Sequence, residues 1–394
     1  MRSPERYFST AILSKRNLFA CIIALIVLIS PGAADPWEVT RLSPQEDVWD
    51  EVAISGDRLV ARASLPTEGI VLCSLSTGEC QYLDRETEGF ENITPRERYS
   101  PGPPDISGNY AVWLRTPGDE PENFTTGRGR VVLADLVNGT QQVIDEGHRY
   151  DGRVRIAGDR VCWMEREHAG AAVTSTLRVY GIREGRAWSV KTFNGSAVLG
   201  NIEGDRAIYM NPEQKNAVVA LNITDGSEVV LSGPGRNPDD FSISGVCVLW
   251  AKKDINGRFS KKPGALQKIS TDSLLSLISL PDGGIIDLAA ASLSGEGRGP
   301  GDFVMNGADL GSAAIEGDRA AWVLREYAGQ NRSSAIVVRR ISDGAESRII
   351  RNGTVRALTI ADGRLVWQES AGQVYLAVPT ASPDDPFCKM AMRG

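Results

Sequence analysis

The chain has 394 residues, 41 of them Gly and 20 Pro, and no long stretch carries a helical period. Its 50 acidic residues outnumber 43 basic ones for a net charge of −7, which argues against nucleic acid and anionic membrane as partners because both reward positive surface. With so much Gly and Pro and no long helical pattern, the composition is that of an all-β protein.

In chain order, the first feature is an export signal over residues 1–34. Arg2, Arg6, Lys15 and Arg16 precede an apolar run from Leu18 to Ile29, Pro31 interrupts it, and Gly32-Ala33-Ala34 offers small residues for cleavage before Asp35. The run falls short of the ~20 residues a helix needs to cross a bilayer. The expectation is therefore a cleaved signal, a secreted or cell-surface mature chain, and no membrane insertion after cleavage. Cleavage removes four bases and one acid, so the acid excess grows from seven to ten.

A phrase of Ile, a small or acidic residue, Gly-Asp or a variant, and an apolar run then recurs seven times. The copies are Ile54–Ala61, Ile106–Trp113, Ile156–Trp163, Ile202–Tyr209, Ile243–Trp250, Ile315–Trp322 and Ile360–Trp367. Each of the first six is followed by a second apolar run and a turn ending in Gly, as in Val131-Val-Leu-Ala-Asp-Leu-Val-Asn-Gly139. Gly between β-branched runs marks a hairpin. Successive phrases lie 52, 50, 46, 41, 72 and 45 residues apart, and four-stranded units of ~40–45 residues are the signature of a β-propeller. The spacing of 72 reads as an insertion. Trp113, Trp163, Trp250, Trp322 and Trp367, with Tyr209 in the same slot, are expected between blades.

The last repeat has no convincing fourth strand, whereas Trp37–Leu42 reads as a strand placed before the first repeat. The expected fold is a seven-bladed β-propeller of four-stranded antiparallel blades over residues 35–380, the last blade closed by the N-terminal strand, followed by a tail at 381–394. The phrase resembles the TolB-like propeller repeats of exported bacterial proteins, above all in Ile106-Ser-Gly-Asn-Tyr-Ala-Val-Trp113, which matches a form common in archaeal cell-surface propellers. The resemblance covers roughly residues 36–380. It implies an exported binding or scaffold protein, since such repeats carry no constant catalytic residues.

Strand alternation puts every tight turn on one face of the ring and every long connection on the other. The long ones are Asp84–Gly102, Leu114–Arg128, Glu165–Thr174, Ala251–Asp272 and Ala289–Ser312, and loops on rigid scaffolds carry recognition. The expected partner on that face is a protein or a glycan. The only two histidines, His148 and His168, fall there beside Asp145, Glu146, Glu165 and Glu167, so they are the candidate metal ligands or acid–base groups, although their spacing follows no standard ligand motif. Glu86, Glu88, Glu91, Asp119, Glu120 and Glu122 are the acids available to an extracellular carbohydrate-active enzyme, the alternative reading. No pair among them stands out, and the catalytic residues are unknown. Lys252, Lys253, Arg258, Lys261, Lys262 and Lys268 make one loop basic. No cofactor is implied. Cys73 and Cys80 flank one hairpin and are the disulfide candidates in an oxidising exterior. Asn92, Asn123, Asn138, Asn194, Asn331 and Asn352 begin glycosylation sequons, as does Asn222 within a strand.

Overall fold

A computed structural model describes residues 37–44, 47–65, 68–85, 99–117, 129–150, 153–170, 172–233, 241–258, 267–280, 284–297, 304–351, 353–370 and 372–380. The chain divides into Met1–Ala34 and Asp35–Gly394, and every described residue lies in the second unit. The expected export signal and the tail at 381–394 lie outside the described residues.

Strand β1 (Trp37–Arg41) leads into β2 (Val48–Ser55), β3 (Arg58–Leu65), β4 (Gly69–Ser74) and β5 (Cys80–Arg85), which form one antiparallel sheet in sequence order. A second sheet holds β6 (Tyr99–Pro101), β7 (Asp105–Ser107), β8 (Tyr110–Pro117), β9 (Arg130–Asp135) and β10 (Thr140–Glu146). The third contains β11 (Arg149–Tyr150), β12 (Arg155–Ala157), β13 (Arg160–Ala169), β14 (Ala172–Gly181) and β15 (Arg186–Asn194). The fourth is β16 (Val198–Glu203), β17 (Arg206–Asn211), β18 (Ala217–Asn222) and β19 (Glu228–Ser232). Then β20 (Phe241–Ser244), β21 (Cys247–Arg258), β22 (Gln267–Ser279), β23 (Ile285–Gly297), β24 (Val304–Glu316), β25 (Arg319–Gly329), β26 (Asn331–Arg340) and β27 (Glu346–Arg351) run together as one sheet. Finally β28 (Val355–Ala361), β29 (Arg364–Glu369) and β30 (Val374–Pro379) form a sheet whose outer strand is β1, paired from Trp37 opposite Pro379 to Arg41 opposite Tyr375.

This corrects the expectation of seven separate four-stranded blades. The described residues form five blade-like sheets and one eight-stranded sheet in which the fifth and sixth repeats are continuous. The join is the pairing of β23 with β24 from Leu293 opposite Gly307 to Glu296 opposite Val304. The residues read as an insertion lengthen strands instead: β22, β23 and β24 each have 13 residues. Much of the two connections expected at Ala251–Asp272 and Ala289–Ser312 is therefore sheet. Their side chains alternate by burial, with Thr271, Ser273 and Leu293 buried and Asp272, Ser292 and Ser294 exposed. The buried face is partly Ser and Thr, so the period of two is hidden from an apolar count.

The repeated phrase is explained by hydrogen bonds between neighbouring turns. Gly56, Gly108, Gly158, Gly204, Gly245 and Gly317 all have φ between 53° and 59°, the conformation that only Gly takes cheaply and that opens a type II′ hairpin. In the last copy the order is inverted, and Asp362 and Gly363 are both at positive φ, as in a type I′ turn. In five repeats the residue before the turn reaches the turn of the next repeat, and in the last Asp362, the first residue of its own turn, does so. Gly108 N–H donates to Ser55 Oγ, Gly158 N–H to Ser107 Oγ and Gly317 N–H to Ser244 Oγ, each at 2.9 Å. Glu203 accepts from the Gly245 backbone, Glu316 Oε2 from Gly363 N–H at 2.9 Å, and Asp362 Oδ2 from Gly56 N–H at 2.6 Å. The last of these returns from the final repeat to the first. Ala157 has the slot but no acceptor. Ala157→Ser is therefore expected to add a hydrogen bond to the Gly204 turn and about 0.5–1 kcal/mol of stability, and Ser107→Ala to lose a similar amount. Urea-unfolding midpoints check both.

Between sheets the core is shared by neighbours. Val161 and Trp163 of the third sheet pack with Val112, Leu114, Val131 and Leu133 of the second, while Cys162 and Met164 pack with Leu199 and Tyr209 of the fourth. Trp113, Trp163, Tyr209, Trp322 and Trp367 are all buried, as is Trp49, whereas Trp250 is half-buried and stacks on Phe241 with centroids 5.2 Å apart. Among the described residues no helix is long and apolar enough to cross a membrane.

Candidate functional site

The seam between the second and third sheets carries a close group of titratable side chains, and its local geometry is built by two glycines. Gly147 N–H donates to Gly129 O at 3.1 Å and Gly129 N–H donates to His148 O at 3.0 Å, which pins the main chain of His148. A Cβ on Gly129 would lie 2.9 Å from both Arg115 O and the Tyr150 ring, so the close approach needs Gly. One residue on, β11 pairs with β13 and sets Tyr150 directly opposite Glu165, on one face of the sheet. Asp145 sits near the end of β10, just past a bulge in its pairing with β9.

These elements bring Asp145, His148 and Glu165 together, each with one ligand atom within 4.8 Å of the others. Asp145 is half-buried, His148 exposed and Glu165 buried at 8% exposure. Tyr150 Oη donates to Asp145 Oδ2 at 3.0 Å, and Arg178 Nε lies 3.3 Å from Glu165 Oε1. Burial pushes the Glu165 carboxyl above its ordinary value; Arg178 opposes the rise and the Asp145 charge adds to it. Burial, then Asp145, likewise raises the Tyr150 phenol. His168, the other sequence candidate, is not in the group. It is exposed near the tip of the β13–β14 hairpin, opposite Val173.

The same slot at other seams is filled differently. Two residues past the Trp of β8 stands Arg115, whose Nε donates to Asp84 Oδ2 at 2.5 Å and whose Nη2 meets Asp84 Oδ1; Trp113 Nε1 donates to that carboxylate at 2.8 Å. Two residues past Trp367 stands Glu369, held by Arg351 Nε at 2.8 Å from the preceding strand β27. At both seams an acid meets an Arg. Two residues past Trp163 stands Glu165, and the group it faces from the preceding sheet is another carboxylate, Asp145.

A second feature lies at the far end of the eight-stranded sheet. Asn256 pairs with Ser270, Ser270 with Ser294 and Ser294 with Asn306, so carboxamides and hydroxyls form one row on one face across four strands. They line an open cleft of about 990 Å³ together with Lys268 and Glu296, which form an ion pair at 3.3 Å. Ile255 and Val304 add exposed apolar surface, at 63% and 38%. The basic loop expected here is largely strand, and two of its lysines are paired: Lys252 with Asp254 at 2.7 Å and Lys253 with Asp309. Lys261 and Lys262 lie outside the described residues.

The Sγ atoms of Cys73 and Cys80 are bonded across the β4–β5 hairpin, in which the two residues are directly opposite. Cys162 and Cys247 are free, and burial pushes the Cys162 thiol up to about 12. Asn138, Asn194 and Asn331 are exposed, the first two with their amides on Asp135 and Glu213. Asn222 is half-buried, with its amide on Asp225. Asn92, Asn123 and Asn352, and the acids Glu86, Glu88, Glu91, Asp119, Glu120 and Glu122, lie outside the described residues.

No protein-family model matches the chain, and no curated protein matches its sequence. Solved structures do resemble it. The β-propeller domain of the trilobed protease from Pyrococcus furiosus aligns with a TM-score of 0.53 and 11% identity over 87% of this chain and 98% of that one. An oligogalacturonate lyase solved with manganese aligns with a TM-score of 0.50 and 10% identity over 89% of this chain and 99% of that one. An acylaminoacyl peptidase aligns with a TM-score of 0.52 and 12% identity over 89% of this chain but only 54% of its own, so this chain spans about half of that enzyme. These likenesses support the β-propeller fold. At such identities they show the fold alone.

Proposed function

We propose that the chain is an exported TolB-like propeller that serves, without catalysis, as a glycan- or protein-binding scaffold at the cell surface, and that its ligand docks on the edge opposite the Gly-Asp turns. The observation that carries this reading is the cleft at the outer end of β21–β24. It lies on the long-connection edge and combines Asn256, Ser270, Ser294 and Asn306 with the exposed Ile255 and Val304. Amide and hydroxyl groups beside apolar patches match the alternating hydroxyl and C–H faces of a sugar, and a glycan is the favoured ligand class. Sites of this kind fix orientation through a few placed polar groups.

The test is a glycan array followed by titration calorimetry on the best binder. Asn256→Ala with Ser270→Ala is expected to weaken binding at least about tenfold, a loss of roughly 1.4 kcal/mol, with unchanged circular dichroism. Equal binding by the double variant would refute the assignment of the cleft. Release of unsaturated or reducing ends from the same glycans would favour the carbohydrate-active alternative.

A further inference from the structure

At the seams flanking Trp113 and Trp367, the charge two residues past the Trp is neutralised by an opposite charge from the preceding sheet: Arg115 with Asp84, Glu369 with Arg351. The seam between the second and third sheets places Glu165 against Asp145 instead, with the His148 imidazole as the third group. Arg178, 3.3 Å from Glu165 Oε1, offsets one of the two negative charges, and the second favours a further cation or a shared proton between the carboxyls. We infer that Asp145, His148 and Glu165 bind a divalent transition cation of the zinc class, which joins the two sheets across this seam.

Several features favour a cation over a shared proton. The third member is an imidazole, a good ligand for zinc-like ions that contributes nothing to a carboxyl–carboxylate hydrogen bond. Glu165 is more than nine-tenths buried, and its Oε1 makes no hydrogen bond among the described residues. Tyr150 donates to Asp145 Oδ2, the kind of outer contact that orients a carboxylate ligand. The His148 main chain is pinned by Gly129, so the imidazole is presented from a fixed backbone. Three protein ligands with His148 on the solvent side leave a coordination position open to water. Calcium and magnesium prefer more oxygen ligands than this group supplies. The ion would be held by one carboxylate from the second sheet and one from the third, and so would clamp the two together. This inference is independent of the glycan cleft, which lies on other strands.

The purified protein, stripped with EDTA and dialysed, is to be titrated with ZnCl2, MnCl2 and CaCl2, with metal content measured after gel filtration and the unfolding temperature recorded for each ion. The expected result is one Zn2+ retained per chain and a higher unfolding temperature with Zn2+ than with Ca2+. His148→Ala alters an exposed side chain and should leave the fold intact; it is expected to weaken Zn2+ binding at least about tenfold and remove the thermal response. Glu165→Gln should do the same, while His168→Ala should behave as the parent. Absence of stoichiometric Zn2+ would overturn the inference and leave the two carboxyls sharing a proton. Parent-like binding by His148→Ala, or loss of binding in His168→Ala, would overturn it equally.

Discussion

Replacing Asp84 with alanine is expected to cost about 1–3 kcal/mol. Asp84 is only 6% exposed, yet it receives the Trp113 indole and both ends of the Arg115 fork. Removing it takes the acceptor from the buried indole N–H and the carboxylate from Arg115, whose side chain is 34% exposed, and leaving a buried donor without its acceptor costs about that much. Asp84→Asn keeps an acceptor for the indole but loses the charge, and should fall between the parent and the alanine variant. Denaturant unfolding of the three proteins measures the series. A loss below about 1 kcal/mol for Asp84→Ala would show that the seam relaxes around the vacated carboxylate.

Trp163→Ala should cost more, ~3–5 kcal/mol, and for a different reason. The side chain is fully buried among Val112, Leu114, Val131, Leu133 and Tyr180, so truncation leaves a cavity that two packed sheets cannot close. Phenylalanine separates the two mechanisms. Trp163 Nε1 makes no hydrogen bond among the described residues, so Trp163→Phe gives up volume but no polar partner. Trp113→Phe also removes a donor from Asp84 and should cost at least about 1 kcal/mol more. Equal losses for the two phenylalanine variants would contradict the role assigned to the indole of Trp113.

The parts of this architecture legible in the sequence are those encoded locally. Gly56 and its counterparts mark positive φ within a few residues of the strands they join, and the buried Trps follow at a fixed offset. The small or acidic residue before each Gly was visible as a pattern but not as a contact, because Ser55 and Ser107 meet their partners 53 and 51 residues further along the chain. The merger of the fifth and sixth repeats was hidden by composition. Buried Thr271 and Ser273 carry the alternation there, and an apolar count reads their segment as loop. The sequence pattern places Asp84 at the start of a long connection, whereas it is a buried residue of β5. At the candidate metal group, His148, Asp145 and Glu165 were visible as neighbours in sequence. What separates His148 from His168 is the short pairing of β11 with β13, two residues of strand that no sequence signal announces.

The chain of turn-to-turn hydrogen bonds also bears on how such a molecule tolerates rearrangement. The link from Asp362 back to Gly56 uses the same kind of backbone donor as the link from Ser55 to Gly108, so the last repeat is joined to the first as the first is to the second, and the one repeat without a side-chain acceptor, that of Ala157, lies mid-chain. Only the outer pairing of β1 with β30 records where the polypeptide starts. A gene reopened at another outer hairpin, such as Gly226, with a short linker joining Pro379 to Trp37, which are paired opposite each other, would keep every inner link and exchange one outer joint for another. The links between turns are thus indifferent to chain order, and such a permutant is expected to retain them.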